Sequence, residues 1–67
     1  MERLFNPHGD YKAQFREFAT QLIKRNIENK AERIREVDAL IEAYIEATGE
    51  RPESRVLDLL ASYILRE

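Results

Sequence analysis

The stretch DYKAQFREFATQLIKRNIENKAERIREVDALIEAYIEATGERP, residues 10–52, decides the fold. From Asp10 to Thr48 it holds neither glycine nor proline. Its apolar residues recur every three or four positions, the spacing of one face of an α-helix. Thr48-Gly49-Glu50-Arg51-Pro52 then stops the pattern, and a second helical segment, apolar around most of its circumference, follows as Pro52–Leu65. The expectation is an all-α chain, either a three-helix bundle or a helical hairpin plus a C-terminal helix. Residues 1–67 form one domain, with an irregular leader over 1–9 and helices over about 10–27, 30–48 and 52–65.

Working outward, Asn6-Pro7-His8-Gly9 reads as a turn, and Asp10 stands where an N-cap belongs, its carboxylate able to accept first-turn N–H groups. Tyr11, Phe15, Phe18, Leu22 and Ile23, with Ala19 beside them, form the stripe of the first helix. Ile34, Val37, Leu40, Ile41, Tyr44 and Ile45 form that of the second. Between the two, Asn26 tolerates the left-handed conformation that ends helices, and Asn29-Lys30-Ala31-Glu32 reads as a capping box. Against a break, Ile27, Ile34, Ile41 and Thr48 sit seven apart, as in a heptad seam. One continuous helix of this length would span roughly 57 Å and would need another chain to pair with. The first stripe does not stay in register with that seam, which favours a break between residues 26 and 30. Gly49 suits the position just past the second helix, and Pro52 and Glu53 suit the first turn of the third.

Composition narrows the function classes. A 67-residue chain buries only about 60% of the surface its unfolded form exposes, and domains this small often need a disulfide, a metal or a partner subunit. There is no cysteine and one histidine, so no cofactor or metal is expected and self-association is the remaining support. No apolar run approaches a membrane span, and Met-Glu-Arg-Leu-Phe-Asn-Pro has no signal-peptide core, so a cytoplasmic protein without a membrane partner is expected. Net charge is −2, unevenly placed: Lys12–Arg35 carries seven bases against three acids, Glu36–Glu67 eight acids against three bases. Such a chain can pair with itself in antiparallel fashion.

Chemistry-bearing constellations are weak. His8 and Asp10 flank a glycine in the leader and lack the rigid support that a catalytic base needs. Glu28-Glu32-Glu36 and Glu42-Glu46-Glu50 are carboxylate ladders at four-residue spacing, but they lie off the apolar stripe without histidine, and read as solvated faces. No enzyme is expected. Three helices with a glycine-containing turn also fit a helix-turn-helix regulator of transcription. Its only basic cluster is Lys24, Arg25, Lys30, Arg33 and Arg35, mixed with Glu28 and Glu32, so binding to nucleic acid or an acidic partner is the secondary reading.

Residues 44–65, Tyr-Ile-Glu-Ala-Thr-Gly-Glu-Arg-Pro-Glu-Ser-Arg-Val-Leu-Asp-Leu-Leu-Ala-Ser-Tyr-Ile-Leu, resemble the Y-(I/V)-E-x-T-G-x-x-P…L-x-x-L-A-x-Y-I-L segment of small phage and prophage proteins from Gram-positive bacteria. The resemblance implies a phage context and carries no catalytic residue. In those proteins the chain often continues past this helix, so both a whole protein and the N-terminal part of one fit. The expected function is that of a small helical protein–protein interaction module, a phage-encoded modulator of a host or phage protein complex. It is expected to form a homodimer through Val56, Leu57, Leu59, Leu60, Tyr63 and Ile64 of the last helix, together with part of the second.

Overall fold

Local stop signals delimit three helices in the computed structural model, which describes residues 4–66: α1 (Tyr11–Arg25), α2 (Lys30–Thr48) and α3 (Ser54–Leu65). Asp10 caps α1, its carboxylate accepting the Lys12 N–H at 3.0 Å. Asn26 ends it in the left-handed conformation, φ 51°, with its N–H donating to the Ile23 carbonyl. The first helix therefore stops two residues short of the expected Ile27. Asn29 opens α2, its side-chain oxygen accepting the Glu32 N–H at 3.1 Å. The molecule is 36 Å in its longest dimension, too short for the roughly 57 Å of an unbroken helix. Gly49 closes α2 at φ 74°, a conformation that costs other residues about 1 kcal/mol or more. The third helix starts later than expected. Pro52 is buried just ahead of it, and Glu53 occupies the N-cap position without folding back on the first turn; its carboxylate reaches Arg16 at 3.3 Å instead.

The helices run up, down and up. Arg25 at the end of α1 meets Glu36 near the start of α2 at 3.1 Å, so these two are antiparallel. Arg33 in the first turns of α2 donates to the carbonyls of Ile64 and Arg66 at the end of α3, so α2 and α3 are antiparallel as well. All three pack on one another around Phe15, Ala19 and Leu22 of α1, Val37, Leu40 and Tyr44 of α2, and Val56, Leu60 and Tyr63 of α3. Burying such a side chain is worth about 1.5–3 kcal/mol, against a net stability of about 5 kcal/mol for a domain of this size.

The described part of the leader is ordered by its own bonds. Asn6 exchanges two hydrogen bonds with the Gln14 side chain, at 2.7 and 3.0 Å, and its side chain accepts the His8 N–H. This hairpin-like clasp drives Phe5 into the core, edge-on to Tyr11, Phe18 and Tyr44. Phe5 thus closes α1 against α2. Its ring partners, Tyr11, Phe18 and Tyr44, belong to α1 and α2.

Candidate functional site

Successive helical residues turn by about 100°, so each helix has a buried stripe and two flanks. In α2 the buried stripe is Arg33, Val37, Leu40 and Tyr44. One flank, Glu36 and Ala39, lines a groove against Phe18, Leu22 and Arg25 of α1, with Leu4 at its mouth. The other flank, Ile34, Ile41 and Ile45, therefore turns toward α3. In α3 the stripe is Val56, Leu60 and Tyr63. The Tyr63 hydroxyl accepts the Ile27 N–H at 3.1 Å, beside the end of α1, so the Tyr63 side of α3 faces α1. Leu57 and Ile64 lie on the opposite flank, toward α2. The outcome is an apolar face shared by α2 and α3: Ile34 and Ile45 are 40% and 39% exposed, and Ile41, Leu57 and Ile64 are half-buried.

This divides the six residues expected to mediate association. Val56, Leu60 and Tyr63 are buried in the chain's own core, because their spacing of four and three residues points them jointly at α1 and α2. They are not surface residues. Leu57 and Ile64 do lie on the shared face. Leu59 is 58% exposed but sits on the α1 side of α3, apart from them. The residues missed by sequence reasoning are Ile34, Ile41 and Ile45, read there as core. Their signal was present: they run one position behind Arg33, Leu40 and Tyr44 and form a second stripe.

The basic cluster is similarly divided. Lys24, Arg25, Lys30 and Arg35 are exposed, though Arg25 is engaged by Glu36. Arg33 is not part of any surface patch: it is 7% exposed. Its guanidinium donates to the carbonyls of Ile27 and Glu28 at 2.7 and 2.8 Å and to those of Ile64 and Arg66 at 3.3 and 2.8 Å, while lying 5.8 Å from the centre of the Tyr63 ring. The first two carbonyls follow the end of α1 and the others close α3. The end of α3 is the negative end of a helix dipole, which attracts a cation; Ile27 and Glu28 belong to the loop between α1 and α2. One arginine thereby satisfies two loop carbonyls and the end of α3, and fastens the α1–α2 corner to the C-terminus of α3. Only its Nε lacks a partner. Position 33 continues the stripe of Val37, Leu40 and Tyr44 by one turn, the sequence sign that it faces inward.

The carboxylate ladders are shorter in three dimensions than in sequence. Glu28 precedes α2 and Glu50 follows it, so each loses one rung. Among the described residues no group of three or more histidine, cysteine, aspartate or glutamate side chains could hold a metal ion, and no helix is long and apolar enough to cross a membrane. Compared with known families, curated proteins and solved structures, the chain matches none.

Proposed function

We propose that the protein is a helical protein–protein interaction module that associates with itself through the face shared by α2 and α3. The observation that carries this is the pair of isoleucines, Ile34 and Ile45, standing about two-fifths exposed beside Ile41, Leu57 and Ile64. Each apolar side chain left in water forgoes about 1.5–3 kcal/mol, a large share of a small domain's stability. A homodimer recovers part of it. The reading takes the cytoplasm as its setting and, from the resemblance of residues 44–65, a phage or prophage in which such a module modulates a host or phage protein complex. The nucleic-acid alternative is weakened by the burial of Arg33 and the pairing of Arg25, which leave three scattered bases.

Light scattering coupled to gel filtration tests the proposal. At tens of micromolar the expected mass is about twice the 7.9 kDa of one chain. Ile45→Glu should return it to one chain without loss of helical circular dichroism. A wild-type mass of one chain throughout that range contradicts self-association.

A further inference from the structure

We draw no further inference here: the strongest candidate, the apolar groove between α1 and α2 that runs past Phe18, Leu22, Ala39 and Leu40 with Leu4 at its mouth, is an unpartnered face, and nothing in the structure shows what covers it.

Discussion

The two flanks of α2 have similar building material and different fates. On the α1 side Phe5, delivered by the Asn6–Gln14 clasp, fills the space between the helices, and the groove that remains has Leu4 at its mouth and Arg25 and Glu36 paired at its rim. On the α3 side no described segment covers Ile34, Ile41 and Ile45, and two of them stand open. In a chain this short, one leader can cover one groove. The contrast locates part of the surplus apolar surface, Ile34 and Ile45, on one flank of α2, while the rest stands at Leu4, Leu59 and Leu65. Composition alone could say only that a surplus existed.

The contrast can be broken most strongly by removing the cover. Phe5→Ala should cost about 4 kcal/mol, since a buried phenylalanine packed edge-on against three rings leaves a cavity that its neighbours cannot fill. Thermal denaturation should show most of the domain's stability lost, and at low temperature the variant should expose a second sticky groove and aggregate. A melting temperature close to wild type would mean that the leader does not close the α1–α2 side.

Next in size is Arg33→Met, which keeps an apolar stem but leaves carbonyls of the α1–α2 loop and of the end of α3 without a donor. Unsatisfied buried acceptors cost about 1–3 kcal/mol apiece, so a loss of about 3 kcal/mol in urea denaturation is expected. Hydrogen exchange should rise most at the end of α3, where the fastening is lost. If α3 exchanges as slowly as before, the arginine is not its fastening.

A smaller effect sharpens the corner between the flanks. Asn29→Ala removes the cap of α2 and should cost about 1 kcal/mol. Were residues 11–48 one helix, alanine would be the better interior residue and the variant would melt higher than wild type.

Much of the fold was legible because it is local. The breaks follow from Asp10, Asn26, Asn29 and Gly49, each acting on backbone groups within four residues of itself. The start of α3 was less secure: Glu53 stands at its N-cap without a capping bond and pairs with Arg16, thirty-seven positions earlier, which no local rule reports. The face was only half legible. The surplus on the last helix was real, but Val56, Leu60 and Tyr63 are spent on the core, and their place on the surface is taken by isoleucines of α2. Arg33 misled because arginine is rarely buried, and its partners are carbonyls that come together only when the α1–α2 loop meets the end of α3. Which flank the leader covers was settled by Gln14, a residue without any signal in the sequence pattern.

The central claim is that the face shared by α2 and α3 is where the molecule meets its partner copy. A dilution series of isotope-labelled protein, from millimolar to micromolar, followed by amide chemical shifts in nuclear magnetic resonance, tests it residue by residue. Concentration-dependent shifts are expected at Ile34, Ile41, Ile45, Leu57 and Ile64, with Ala13, Glu17 and Thr20 on the outer side of α1 unmoved. Shifts confined to α1 or to the surroundings of Leu59, or no shift across the series, would contradict it.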